Sequence, residues 1–309
     1  MTRSKPNAGL LEAYERDAKL QGLSDLTLKA YKHGIETFLG YLGTNPVAKV
    51  TIKDLAEYLG NQKDQKLDPR TLSGRISALS SFFEFLEFEG KIKGNPVPGF
   101  RRRYLGTLRR ELGKKKSDRK LVAVEQLRAM LQTVVDARDR CIIGLLAKTG
   151  MRRDELVQLD VRSIDLTKQT VDIKPHPKRT NCQVFFDDET GRVLRRWLAV
   201  RRARTGTDAG PLFVGQRGNR INGDAVNDAV SAAARNVGLH DPEGPLKDRF
   251  TAHNLRHFFT THLRRGGMTR EHIAWLRGDA GNDSMDVYMH IDPDQVQQAY
   301  RSAIPQLGL

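Results

Sequence analysis

Apolar residues recur every three or four positions through the first third of the chain, the spacing of one helix face. Leu28, Tyr31, Ile35, Phe38, Leu39 and Leu42 follow it behind Ser24 and Asp25, residue types that cap helix starts. Thr51 with Asp54 resembles a capping box opening a short helix through Tyr58. Pro69 opens a longer one, whose stripe is Leu72, Ile76, Leu79, Phe83 and Leu86. Residues 8–96 therefore read as a small bundle of about four helices. Beyond residue 120 the pattern is mixed. Helices are predicted over 124–135, 139–149, 188–204, 224–236, 254–265 and 270–277, and Thr170–Ile173 and Gln183–Phe186 have β composition with a turn at His176–Asn181. Asp292, Pro293, Asp294 and Gln295 read as a helix start, with Val296, Ala299, Tyr300, Ala303 and Ile304 as its apolar stripe. The predicted fold class is mainly α, with a small β-sheet in the C-terminal domain.

Length and charge sharpen this picture. At 309 residues the chain suits two compact domains. Lys plus Arg number 52 against 37 Asp plus Glu, a net charge of +15 that suits a polyanionic partner, with nucleic acid the leading class. Residues 101–120 carry over half of that excess, and they follow Gly94, Pro96, Pro98 and Gly99, which punctuate the chain. The expected division is a helical domain over 1–97, a basic interdomain linker over 98–120 and a second domain over 121–309. The apolar run Cys141–Ala147 falls far short of the ~20 residues of a membrane span. Cys141 and Cys182 are the only cysteines and no apolar segment follows the N-terminus, so a reducing cytoplasm is expected.

Three short motifs carry chemistry. Thr149-Gly150-Met151-Arg152 ends an apolar helix on glycine and at once presents an arginine, with Glu155 three residues on. His253 and Arg256 stand at i and i+3, one above the other on a helix face. Tyr288 follows 32 residues later, just before Met289-His290. His253 and His257 at i, i+4 would suit zinc, but no glutamate follows His253 and neither cysteine has a close partner, so no metal site is assigned.

In order and spacing these motifs resemble the tyrosine recombinase and phage integrase family, and the likeness spans essentially the whole chain. Residues 70–83 resemble the last helix of that family's SAM-like core-binding domain, which implies an N-terminal helical bundle ahead of an α+β catalytic domain. The resemblance implies double-stranded DNA as partner and strand cleavage through a 3′-phosphotyrosine, without metal, ATP or other cofactor. It assigns Tyr288 as nucleophile, Arg152 and Arg256 as phosphate ligands, and His253 as base or phosphate ligand. Lys178 is aligned with the lysine of the β-hairpin turn, with Lys174 as the fallback. These types fit the reaction: a tyrosine of pKa near ~10 needs a proton acceptor or a positive pocket. Guanidinium forks match the nonbridging oxygens, and a lysine delivers the leaving group's proton. Arg70, Thr71, Arg75, Arg101, Arg102 and Arg103 are the candidate DNA contacts.

One position departs from the family. Nine residues before Tyr288, where histidine or tryptophan is usual, stands Asp279. An ionised carboxylate cannot donate to a phosphate and would repel it. Asp279 then either turns away to anchor a helix or arginine, is held neutral, or marks a degraded site, with His257 or His290 as substitute donors. The degraded site underlies the alternative function, a catalytically impaired DNA-binding protein on the same scaffold. The helical pattern begins by Ala8, so no arm-binding module is expected ahead of it. In the family the tail beyond the nucleophile docks on a neighbouring protomer, so segment 292–309 is expected to close a homotetramer on synapsed DNA.

Overall fold

The structure, a computed structural model, describes residues 7, 9–114, 121–176, 179–279 and 291–309. The chain divides into two compact units, Met1–Ser117 and Asp118–Leu309.

The first unit is helical: α1 (Leu10–Leu20), α2 (Asp25–Leu42), α3 (Ile52–Asp64), α4 (Pro69–Phe88) and α5 (Val97–Lys114). Local chemistry sets the starts. The Ser24 hydroxyl accepts from the Thr27 N–H, Thr51 and Asp54 form the capping box, and Asp68 accepts from the Arg70 N–H with Pro69 next in line. Ile35, Phe38, Leu72, Ile76, Leu79, Phe83 and Leu86, at the predicted spacing, are buried in one core. The basic segment expected as a linker is helical as far as Lys114. Val97, Phe100 and Leu105 of α5 are buried in the same core, and Arg101 donates to Ser80 Oγ of α4 at 2.9 Å. Pro98 sits in the first turn, where a missing N–H costs nothing, and a Cβ at Gly99 would meet Ile52 at 2.8 Å. Residues that read as breakers thus start α5 and let it approach α3.

The second unit contains α6 (Val124–Gln132), α7 (Ala137–Thr149), α8 (Arg153–Val157), α9 (Asp188–Thr205), α10 (Gly223–Arg235), α11 (Ala252–Arg265), α12 (Arg270–Arg277) and α13 (Pro293–Ala303). A three-stranded antiparallel sheet runs in order β1 (Ile164–Asp165), β2 (Thr170–Asp172), β3 (Gln183–Phe185), with Val171 opposite both Ile164 and Val184. α7 is buried from Cys141 to Thr149 and runs through the core, its Ile143, Leu145, Leu146 and Ala147 fully buried. Phe185 stacks on Trp275, joining the sheet to a smaller cluster with Phe259, Leu276, Val296 and Tyr300.

Segment 292–309, expected to dock on a neighbour, is packed on its own unit. Val296, Tyr300 and Leu307 are fully buried, and the Tyr300 hydroxyl donates to Lys148 O at 3.0 Å. Lys148, itself fully buried, donates to Pro305 O and to Asp187, and pairs with Glu189. Glu189 also accepts the N–H groups of Leu307, Gly308 and Leu309. The apolar stripe finds cover within the chain, and the buried lysine ties the last backbone groups to α7 and α9. Among the described residues no helix is long and apolar enough to cross a membrane.

Candidate active site

α7 ends at Gly150, whose φ of +62° is left-handed, and a Cβ there would meet the Phe259 ring at 2.2 Å. This glycine turns the chain sharply and places Arg152 at the N-cap of α8. Glu155 holds it there: the Arg152 N–H donates to Oε2 at 2.7 Å and its Nη1 to Oε1 at 2.9 Å. Arg256 reaches the same place from α11. Its Nη1 donates to Gly150 O at 2.6 Å and its Nη2 to Arg277 O at 3.1 Å, so the glycine turn and the end of α12 fix its fork.

The two arginines meet on Asp279. Its Oδ1 accepts from Arg152 Nη2 at 3.2 Å and from Arg256 Nη2 at 2.9 Å, while Arg277 Nε lies 2.7 Å from Oδ2 as an ion pair without hydrogen-bond alignment. Asp279 therefore faces the arginines. Arg256 keeps 7% of its side chain exposed, Arg152 38% and Asp279 36%, so the cluster opens to solvent on the Arg152 and Asp279 side. Burial, with the neighbouring Arg152 and Arg277 charges, pushes Arg256 down to about 10, still protonated at neutral pH. Burial pushes the Glu155 carboxyl up, but the Arg152 N–H and the Arg179 and Arg152 guanidinium groups outweigh it and hold it below the usual carboxylate range.

His253 stands one turn before Arg256 on α11, exposed, its ring perpendicular to that of His257 at 4.5 Å between centroids. Lys174, the fallback lysine, pairs with Asp160 at 3.1 Å. Lys178, Tyr288 and His290 lie outside the described residues. In the first unit Arg70 and Thr71 are exposed in the opening turn of α4, and Arg102 and Arg103 are exposed on α5. Arg75 is half-buried, and Arg101 is the half-buried donor to Ser80. Among the described residues no group of three His, Cys, Asp or Glu is placed to hold a metal ion.

Two members of the cluster carry no role from the sequence. Glu155 is signalled only as the acidic residue three after a helix cap. Arg179, in a Pro-Lys-Arg-Thr-Asn stretch that reads as an exposed turn, has a fully buried side chain. It donates to Glu155 Oε2 at 3.0 Å, Arg277 O at 3.1 Å and Leu276 O at 2.9 Å, and burial lowers its pKa from the arginine value.

The profile of the Phage integrase family matches residues 120–295, and that of the Phage integrase, N-terminal SAM-like domain matches residues 11–90. Over 306 residues the chain is 28% identical to the tyrosine recombinase XerC of Oceanobacillus iheyensis, covering 92% of this chain and 91% of that protein. With the XerC of Thermodesulfovibrio yellowstonii it shares 27% over 298 residues, covering 93% of each. A solved lambda integrase dimer bound to a COC′ core site superposes with a TM-score of 0.69 at 19% identity, covering 92% of this chain and 98% of that one. At that identity the likeness speaks for the fold.

Proposed function

The chain belongs to the phage integrase family and is a DNA breaking-rejoining enzyme of the tyrosine recombinase type, and from that premise we propose how its residues act. It cleaves and rejoins strands at a specific site through a covalent 3′-phosphotyrosine, without metal or ATP. Tyr288 attacks the phosphorus and the 5′ oxygen leaves. Arg152 and Arg256 hold the nonbridging oxygens, where charge accumulates as the pentavalent phosphorus forms. His253 takes the tyrosine proton or orients the phosphate. Lys178 gives the 5′ oxygen its proton; Lys174 is the poorer choice because Asp160 already engages its ammonium.

The observation that carries this reading is that Arg152 and Arg256, 104 residues apart, aim one Nη2 each at a single carboxylate oxygen. Two forks converging on an anion are what a phosphodiester requires. Asp279 holds the phosphate's place until DNA arrives. The assembled pair gives no support to a catalytically impaired DNA-binding protein.

Covalent trapping in EDTA, on nicked duplexes drawn from the DNA flanking the gene, tests the reading. The wild type is expected to give an SDS-resistant adduct and Tyr288→Phe none despite unchanged binding. An adduct that persists in Tyr288→Phe would refute it.

DNA is contacted by both units. The first unit, α5 included, serves as the core-binding domain, and Arg70, Thr71 and Arg75 at the start of α4 reach the duplex. The basic 98–120 segment lies along phosphates through Arg102 and Arg103, with Arg101 bracing it on α4; residues 121–309 do the chemistry. Removing one phosphate-binding cation should make the slope of log affinity against log salt shallower by about 0.9. An unchanged slope for Arg102→Ala/Arg103→Ala would refute that assignment. The protein acts in the cytoplasm on the nucleoid, as a homotetramer in which segment 292–309 moves from its own groove to that of a neighbour. Light scattering on the full chain with synapsed DNA is expected to give four protomers per complex; a mass that stops at one per duplex would refute it.

A further inference from the structure

We propose that Arg179 is a positioning residue for the Arg152 and Arg256 pair, keeping the two guanidinium groups at the separation that grips a phosphate after Asp279 has yielded its place. The proposal rests on the reading of that pair given above. The hydrogen bonds of the site form a closed ring. Arg152 and Arg256 meet on Asp279 Oδ1 on one side. On the other, Arg256 Nη2 donates to Arg277 O, the same oxygen accepts from Arg179 Nη1, that Nη1 also donates to Glu155 Oε2, and Glu155 holds both the N–H and Nη1 of Arg152. A phosphate that displaces the carboxylate opens the ring at Asp279. The connection through Arg277 O, Arg179 and Glu155 then still spans the two arginines on the guanidinium side, while the bond from Arg256 Nη1 to Gly150 O holds Arg256 to the backbone just before Arg152.

The surroundings make Arg179 stiff enough for this task. Helix ends leave their last carbonyls without partners inside the helix. At the end of α12, Leu276 O and Arg277 O are taken by Arg179, Gly278 O by the Thr180 N–H, Asp279 O by the Thr180 hydroxyl, and Trp275 O by Asn181 Nδ2. Three consecutive hairpin residues thus cap the run of carbonyls from 275 to 279. Gly278 has a φ of +61°, and a Cβ on it would meet Arg179 Cγ at 2.4 Å, so the glycine makes the room the guanidinium needs. A planar fork reaches two carbonyls and a carboxylate from two separate nitrogens in fixed directions, whereas an ammonium offers its three donors from a single point on a flexible stem.

The test separates positioning from general support. Once wild-type trapping has mapped the scissile phosphate, single-turnover adduct formation is measured on two duplexes, one native and one with a methylphosphonate there. The methyl group removes the nonbridging charge that the arginine pair answers. Arg179→Ala should be about 100-fold slower on the native duplex, the scale of a small misplacement of reacting groups, with DNA affinity unchanged. On the methylphosphonate its deficit should shrink to a few-fold, as should that of Arg256→Ala. Arg179→Lys keeps a buried charge beside Glu155 but loses the fork, and should show the same pattern with the fold secure. Equal slowing on both duplexes, or no slowing on either, overturns the proposal. An Arg256→Ala deficit that fails to shrink overturns it too, because the pair would not be answering phosphate charge. A wild type that forms no adduct on any tightly bound fragment removes the strand-cleavage reading itself, and the proposal with it.

Discussion

Replacing Asp279 with asparagine keeps the side chain's shape and removes its charge, which sets two observables moving in opposite directions. The carboxylate accepts two charge-assisted hydrogen bonds, at 3.2 and 2.9 Å, and stands beside a third guanidinium. Such bonds contribute about 1.5–3 kcal/mol each when buried. Here Asp279 and Arg152 are more than a third exposed, so solvent screening leaves about 1–2 kcal/mol for the cluster. The Asp279→Asn protein should therefore melt about 2–8 °C lower. A tetrahedral anion that must displace the carboxylate no longer meets that opposition, so inorganic phosphate should bind about 5–30-fold more tightly. Calorimetric titration at constant ionic strength measures the second effect and thermal unfolding the first. Lowered stability with unchanged phosphate affinity would refute the idea that Asp279 sits where the phosphate goes.

Further outcomes follow from other parts of the site. Arg256→Ala should lower strand cleavage by about 100-fold or more with little loss of DNA affinity, because its contact strengthens as charge builds on the phosphorus; a large affinity loss with cleavage intact would reverse that assignment. The native pKa of Glu155 lies below the ordinary value near ~4.3, so its contribution to stability is complete above that pH and is lost as the pH falls through the native value. Glu155→Gln should accordingly be less stable at pH 7 and lose less on acidification, and parallel wild-type and variant stability curves between pH 6 and about pH 3 would contradict this. Lys148→Met strands Asp187 and Glu189 without their buried partner and should cost about 3–5 kcal/mol in denaturant unfolding. A loss below ~1 kcal/mol would show that Lys148 does not hold the tail.

Much of the helical architecture could be read from periodicity because packing and pattern agree. The stripe from Leu72 to Leu86 is buried where its spacing puts it, and α12 spans Arg270–Arg277 as predicted. Charge misled at α5. A dense basic run reads as a linker, yet Val97, Phe100 and Leu105 supply an apolar face that the arginines between them disguise. β1 is two residues long, too short for alternation to register. At the site, the motif spacing brought Arg152 and Arg256 to attention, and the structure sets both on Asp279. Arg179 was out of reach, since nothing local distinguishes a buried guanidinium from an exposed one. Its partners Leu276 and Arg277 are about 100 residues away in sequence. The direction of segment 292–309 was equally hidden, because an apolar stripe specifies that it must be covered and not by which copy.

The tail's hold on its own unit bears on assembly. A segment that leaves one groove for the identical groove of a neighbour breaks and remakes the same bonds, down to Lys148 with Pro305 O and Glu189 with the last three N–H groups. Exchange is then nearly neutral in contact energy, and effective concentration decides it. In dilute solution each tail meets its own groove first. Under the proposed exchange, synapsed DNA that holds protomers side by side would let the neighbour's groove compete on equal terms, and the duplex itself would then act as the switch between closed monomers and a linked ring.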